Sequence, residues 1–397
     1  MSWPLVPLAE ALSDSPVFVD GDWVESKDQD PDGDVRLIQL ADVGDGFFID
    51  KSSRFLTSEK AKQLRCTFLE PGDVLVARMP DPLGRACIFP GSTQKSITVV
   101  DVCIIRPNPN RVDGRYLMHC INGPNVRHDI QRQATGTTRQ RISRGNLKSV
   151  SIPLPPLAEQ RRIAAILDQA EELRAKRRAA IALLDQLPQA IFLDMFGDPV
   201  ANPMKWQTMT VKEIGRVVTG NTPPRSREDY YGAGIDWVKT DNLLEDAYYV
   251  STSTEQLTKA GRAAGRVAPE GSLLVACIAG SRASIGRAAV NEKEVAFNQQ
   301  MNAIIPACAN VCFLYYLLKV GKHIIQMAST DSMKGMVSKS KLEGVVLPVP
   351  PIDLQDQFAT RVEEGFRVKS TNIAALDELD HLFASLQQVS FGPRRSP

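Results

Sequence analysis

Two stretches of this chain place apolar residues at alternating spacings of three and four. From Leu157 onward they are Ile163, Ile166, Ala170, Leu173, Ala180, Leu184, Leu187 and Ile191, with Arg177 interrupting the series. The second stretch carries Phe358, Val362, Phe366, Ile373, Leu376, Phe383 and Leu386. This spacing is the seam of a helix that packs lengthwise against another helix. Each stretch follows a proline run, Ile152-Pro153-Leu154-Pro155-Pro156-Leu157 and Leu347-Pro348-Val349-Pro350-Pro351-Ile352. Proline suits a helix's first turn and cannot continue one, so the runs mark where the helices begin. Pro188 is expected to kink or end the first helix, and Gly197 to close the short piece after it. Alone, each helix of roughly 30 residues, about 45 Å long, would expose its stripe. The pattern therefore predicts two antiparallel helices buried against one another, as a spacer between globular units.

Outside the helices the pattern changes to short β-branched runs bounded by Gly, Pro or Asp. They fall at 35–40, 73–77 and 97–105, and again at 235–239, 272–276 and 301–305. Helices are expected at 114–120 and 313–327. No regular strand–helix–strand rhythm appears, which argues for an α+β arrangement and against a doubly wound sheet. The two halves are also alike. Trp3 echoes Trp206, Pro71-Gly72-Asp73-Val74 echoes Pro269-Glu270-Gly271-Ser272-Leu273, Gly84-Arg85-Ala86 echoes Gly286-Arg287-Ala288, and Ile142-Ser143 echoes Val337-Ser338. The predicted plan is a globular domain at 1–152, a spacer helix at 153–197, a second domain at 198–347 and a second helix at 348–397.

Composition changes this picture little. The 397 residues allow two or three cores, and 43% hydrophobic with 23% charged residues is ordinary for a globular chain. No apolar run reaches the roughly 18 residues of a membrane span, and the start lacks the basic-then-apolar pattern of a secretory signal. A cytoplasmic protein with no membrane partner is expected. The seven cysteines are scattered without a C-x-x-C pair, and are expected to be buried reduced thiols. Net charge is only +1, but its distribution is uneven. Residues 1–50 hold twelve Asp or Glu against Lys27 and Arg36, whereas residues 103–150 hold nine Lys or Arg against Asp113 and Asp129. That basic segment could hold a polyanion, or simply solvate helical surfaces.

Catalytic signatures are missing. There is no phosphate loop, no dinucleotide fingerprint, and no Asn/Asp-Pro-Pro-aromatic tetrapeptide; Asn202-Pro203-Met204-Lys205 is the nearest approach. The four histidines lack metal-ligand spacing. A reader of some kind fits better than a catalyst. An enzyme with unrecognised motifs and a coiled-coil adaptor for proteins remain as alternatives.

More specific runs narrow the choice. They are Val218-Thr219-Gly220-Asn221-Thr222-Pro223-Pro224, Tyr230-Tyr231-Gly232, Ile235-Asp236-Trp237-Val238-Lys239-Thr240-Asp241-Asn242 and Phe297-Asn298-Gln299-Gln300. With Leu154-Pro155-Pro156-Leu157-Ala158-Glu159-Gln160-Arg161 and Phe192-Leu193-Asp194-Met195-Phe196-Gly197-Asp198-Pro199, they make the chain resemble the specificity subunit of a type I restriction–modification system. The resemblance spans nearly the whole length. The first domain departs by lacking a Gly-x-Thr-Pro run and a counterpart of Trp237, and the last helix has Asp353-Leu354-Gln355 where Glu-Gln is expected. The resemblance implies two target-recognition domains that bind double-stranded DNA. It further implies helices that hold two methyltransferase subunits, with restriction and translocase subunits joining the assembly. The chain itself would carry no cofactor and no catalytic or metal site; S-adenosylmethionine, ATP and Mg2+ would belong to the partners.

Within that reading, the loop Thr135-Gly136-Thr137-Thr138-Arg139-Gln140-Arg141 is a candidate for base contact. Arg and Gln can form paired bonds to guanine and adenine edges. Thr137, Thr138, Arg139, Gln140 and Arg141 are its candidate contacts. The matching loop, Thr330 to Met336, offers Lys334. Further candidates are Arg78 and Arg85 in the first domain, and Arg225, Lys239, Asn242, Ser281 and Arg282 in the second, each of which could equally be a solvated surface group.

Overall fold

The computed structural model describes residues 3–329 and 335–391. It divides into two compact units: Met1–Arg178 with Ala374–Pro397, and Ala179–Ile373. Each unit therefore contains one globular domain and a share of both long helices.

The globular parts are built to the same plan. The main sheet of the first unit is antiparallel, with strand order Val17–Asp20, Val102–Arg106, Val74–Ala77 and Ala86–Ile88. In the second unit the order is Gly215–Thr219, Met301–Pro306, Leu273–Ala276 and Ala288–Val290. Val74–Ala77 and Leu273–Ala276 are buried at every position, which explains their unbroken apolar runs. A smaller sheet pairs Val35–Ile38 in parallel with Lys95–Thr98, and Tyr231–Val238 in parallel with Val295–Phe297. A two-stranded ribbon closes each domain: Leu5–Pro7 on Ser151–Pro153, and Thr208–Thr210 on Val346–Pro348. The α+β expectation holds.

Residues 97–105, expected as one strand, are two. Lys95–Thr98 ends one sheet, a turn closed by Val102 N–H to Val99 O at 2.9 Å follows, and Val102–Arg106 enters the other. Asp101, a poor strand former, marks the break. The predicted 313–327 helix is likewise divided at Gly321, into Val311–Val320 and Lys322–Met327. The first domain breaks at the same place with Gly123-Pro124, between Gly114–Asn122 and Pro124–Arg132. Cys308, expected inside, is exposed, and the described cysteines are free.

The long helices are Leu157–Phe196 and Ile352–Phe391, 40 residues each. The first continues past Pro188, so the helix does not end there as one expectation had it. Proline removes one bond to the carbonyl four residues earlier, but Pro188 is itself buried and Phe192 and Phe196 just beyond it enter the core of the second unit. The helix ends at Gly197, in the left-handed region at φ 76°. Packing between the helices is antiparallel. In the first unit Arg174 bonds Asp380 at 2.6 Å and lies over Phe383. In the second, Asp185 pairs with Lys369 at 2.5 Å and Phe192 meets Phe358 edge-on.

The predicted seam is not buried along its length. Ile163 and Ala170 are buried and Ile166 and Leu184 half-buried, whereas Leu173 and Leu187 are exposed; Leu183, 69% exposed, lies one position off the seam. By length and apolar content the central helix could cross a membrane, which the residue count did not anticipate. Its Asp185 ion pair and its buried phenylalanines show the end of this helix packed within the second unit.

Candidate nucleic-acid interface

In the first unit five segments and Arg54, which precedes the strand Phe55–Leu56, border one cleft of about 1030 Å³. The segments are the chain after Val17–Asp20, the turn after Val35–Ile38, the loop after Val74–Ala77, the 99–101 turn and the 135–141 loop. The cleft presents Trp23, Gln39, Arg54, Arg139 and Arg141. Trp23 is 66% exposed, an unusual state for so large an apolar ring.

The 135–141 loop is held by its own backbone. Thr135 and Arg141 exchange N–H to O bonds at 2.9 Å each, and Gly136 makes the turn at φ 97°. A Cβ there would stand 2.5 Å from the Arg139 carbonyl, so the loop requires glycine. Thr137, Thr138, Arg139 and Gln140 are exposed at the tip. Arg141 is tied back to Asp101 at 3.1 Å.

Most of the basic segment is neutralised within the unit. Arg106 pairs with Asp73 at 2.7 Å, Arg127 with Asp45 at 2.7 Å and Arg115 with Asp168 at 2.8 Å. The acidic N-terminal region and the basic segment thus partly satisfy each other, and do not form a simple basic face. Arg139 faces no carboxylate within 4 Å among the described residues, which leaves its donors available.

Two candidates take another part. Arg78 is buried, pairs with Asp20 at 3.2 Å and bonds the Val100 carbonyl. Its own carbonyl accepts Ile142 N–H at 3.1 Å, so it braces the exit of the 135–141 loop. Arg85 is also buried and donates to the Val43 carbonyl and, at 2.8 Å, to the Leu40 carbonyl. Burial pushes both guanidinium pKa values down. These arginines brace the loops: Arg85 donates to buried backbone oxygens while bordering the cleft, and Arg78 serves one backbone oxygen and the Asp20 carboxylate.

In the second unit Arg225 lies over Tyr231 at 4.3 Å and Trp237 at 4.9 Å, and pairs with Glu255 at 2.8 Å. Lys239 also pairs with Glu255 and stands over Trp237. The hydrogen bond from Lys239 lowers the Glu255 pKa, aided by Arg225 and opposed by burial. The structure thus brings Arg225 and Lys239 together. Asn242 is occupied beneath them: its Oδ1 accepts Lys239 N–H at 2.9 Å, and its Nδ2 donates to Thr252 O at 3.1 Å. Ser281 and Arg282 are exposed on a separate loop, where Ser281 Oγ lies 3.1 Å from Ser284 Oγ. Lys334 and its neighbours Thr330 to Met333 lie outside the described residues.

The two units share a scaffold that the sequence offsets showed only in part. Gly21-Asp22 corresponds to Gly220-Asn221: Asp22 accepts Thr67 N–H at 3.0 Å, and Asn221 accepts Arg266 N–H at 2.6 Å. Asp42 and Asn242 each cap the turn after the parallel strand. Arg85 and Arg287 brace that turn, Arg287 donating to the Leu243 carbonyl at 3.2 Å. Leu37 occupies the place of Trp237, by the parallel register in both units. Between these fixed points the surface residues differ, with Gln39 where the second unit has Lys239. Gln39, Trp23 and Arg54 were not legible as site residues. The Gly-Asp and Gly-Asn steps could have aligned the two domains and exposed the Gln39–Lys239 correspondence.

Known proteins resolve the family. The model of the type I restriction modification DNA specificity domain matches twice, at residues 21–183 and 203–377. A Methanocaldococcus jannaschii protein assigned as the specificity subunit of type I restriction enzyme MjaX is 22% identical over 74% of this chain and 71% of its own length. The MjaIX specificity subunit of the same organism is 30% identical over 40% of this chain and 37% of its own. Among solved structures, a chain from a study of complex assembly and conformational transition of the type I restriction–modification system has TM-score 0.62 at 19% identity, covering 98% of this chain and 97% of that one. The S subunit of M. genitalium has TM-score 0.56 at 16% identity, covering 99% and 97%. With a specificity domain matched in each half, this chain belongs to the family of type I restriction–modification specificity subunits.

Proposed function

We propose that this chain is the non-catalytic DNA reader of a type I complex, binding a two-part asymmetric target with one half-site per recognition domain. The observation that carries this is the repeated scaffold with unlike surfaces: equivalent braces, Arg85 and Arg287, and equivalent caps, Asp42 and Asn242, hold a turn that carries Gln39 in one unit and Lys239 in the other. Two readers with different donors select two different short sequences. The exposed leucines of the helices offer apolar surface to two methyltransferase subunits, which would modify adenine N6 with S-adenosylmethionine. Restriction and translocase subunits would bring ATP and Mg2+. The helical spacer would fix how many unspecified base pairs separate the half-sites.

Mapping methylated adenines across a genome, with and without the chain beside its methyltransferase subunits, tests this. One two-part motif that vanishes without the chain is expected. Unchanged methylation in its absence, or a motif with a single uninterrupted half, would refute it.

A further inference from the structure

Each long helix carries near its start a buried glutamine bonded to its own globular domain, and the bonding is made the same way twice. In the first unit Gln160 is 1% exposed. Its Oε1 accepts Asp113 N–H at 2.9 Å, and its Nε2 donates to the Pro155 carbonyl at 2.9 Å and the Arg111 carbonyl at 3.1 Å. In the second unit Gln355 is equally buried. Its Oε1 accepts Asn310 N–H at 2.9 Å, and its Nε2 donates to the Pro350 carbonyl at 2.7 Å. Pro155 and Pro350 are the same member of the two proline runs. Asp113 and Asn310 cap the equivalent domain helices, Gly114–Asn122 and Val311–Val320. The divergent Asp353-Leu354-Gln355 run thus preserves the one side chain that matters at this joint.

The chemistry requires glutamine. The site needs an acceptor for one backbone N–H and a donor for a backbone carbonyl, at the reach of a side chain with two methylenes. Glutamate would set a carboxylate against that carbonyl, and asparagine would fall short. Apolar packing of Ile163 and Leu167 on the first domain's core is non-directional, and the nearest other polar tie, Asp168 with Arg115 and His119 at 2.8 Å each, lies two turns farther along the helix. The amide bonds are directional and buried, so they hold one register. Neither they nor their partners line the cleft that presents Trp23 and Arg139.

We propose that Gln160 and Gln355 are positioning residues that fix the angle of each recognition domain on its helix, and through it the number of base pairs between half-sites. This rests on the two-half-site reading above. The test uses the full chain with its methyltransferase subunits on duplex libraries that keep both half-sites and vary the gap by single base pairs. Wild type is expected to methylate one gap length. Gln160→Glu and Gln355→Glu are each expected to raise methylation at neighbouring gap lengths at least fivefold relative to the preferred one, with both half-sequences unchanged. The ratio is measured on the same folded molecules, so a general loss of stability does not move it. Should Gln160→Glu yield no folded complex, Gln160→Met removes the bonds without burying a charge and is read by the same ratio. An unchanged ratio, or an altered base preference within a half-site, overturns the proposal. A wild type indifferent to gap length would instead remove the two-half-site reading, and the proposal with it.

Discussion

At the scale of single residues, arginines of the same chemistry take opposite parts according to what their donors face. Arg85 is enclosed by the Val43 and Leu40 carbonyls, whereas Arg139 stands on an exposed loop tip. Arg85→Ala should destabilise the first unit by about 2–4 kcal/mol, because it strands buried acceptors, and denaturant unfolding would register it. Arg139→Ala should leave stability alone and weaken binding by roughly 1–3 kcal/mol at one base position. A uniform loss across all sequences would make Arg139 a phosphate contact instead. Asp22 carries a second prediction. Burial raises its pKa to about 6, against the lowering bonds from Thr67 and Cys66. The fold therefore holds the proton more tightly than the unfolded chain, and stability falls as pH climbs from about 4 through 6, then levels off. Asn221, at the matching position, avoids this by donating to the Ala264 carbonyl at 2.9 Å. Asp22→Asn should raise the melting temperature above pH 6 and flatten that slope; an unchanged slope would show that another group sets it. Sequence displayed these residues but not their surroundings. Arginine reads the same whether its partners are carbonyls brought from 40 residues away or a solvent-facing groove.

At the scale of elements, local pattern served well where one periodicity ruled. Both long helices and their proline starts were plain. The 97–105 run was misjudged because propensity reports that residues suit a strand, and not which sheet receives them; the turn that moves the chain between sheets depends on long-range pairing. Pro188 does not end its helix for a related reason, since the residues beyond it enter the core of the second unit. Most informative is the seam, which the spacing alone presented as uniform. Its outer parts enter domain cores and its middle remains open, with Leu173 exposed on it and Leu183 exposed beside it. Full burial of a leucine contributes about 1.5–3 kcal/mol. Leu183→Glu should accordingly weaken methyltransferase-subunit binding at least tenfold in a pull-down or calorimetric titration, with the melting temperature of the isolated chain unchanged. If affinity holds, that stretch of helix is not the docking surface.

At the scale of the whole molecule, duplication is the organising fact. The offset between halves was visible in a few landmarks, but the equivalences of Asp42 with Asn242 and Gln39 with Lys239 rest on matching hydrogen bonds and not on matching letters. Inserting seven residues near Ala175 keeps the heptad phase. It should lengthen the gap in the methylated motif and preserve both half-sequences. Altered half-sequences would show that the helices do more than set distance.

Membership of the first unit is discontinuous, for it takes residues from both ends of the chain. Phe391, near the very end, packs its ring 5.6 Å from that of Tyr116, and its carbonyl accepts Asn125 Nδ2–H at 3.1 Å. The second unit is contiguous. During synthesis the first unit thus cannot close until the segment from Ala374 onward has been made, whereas its twin can settle once Ile373 is in place.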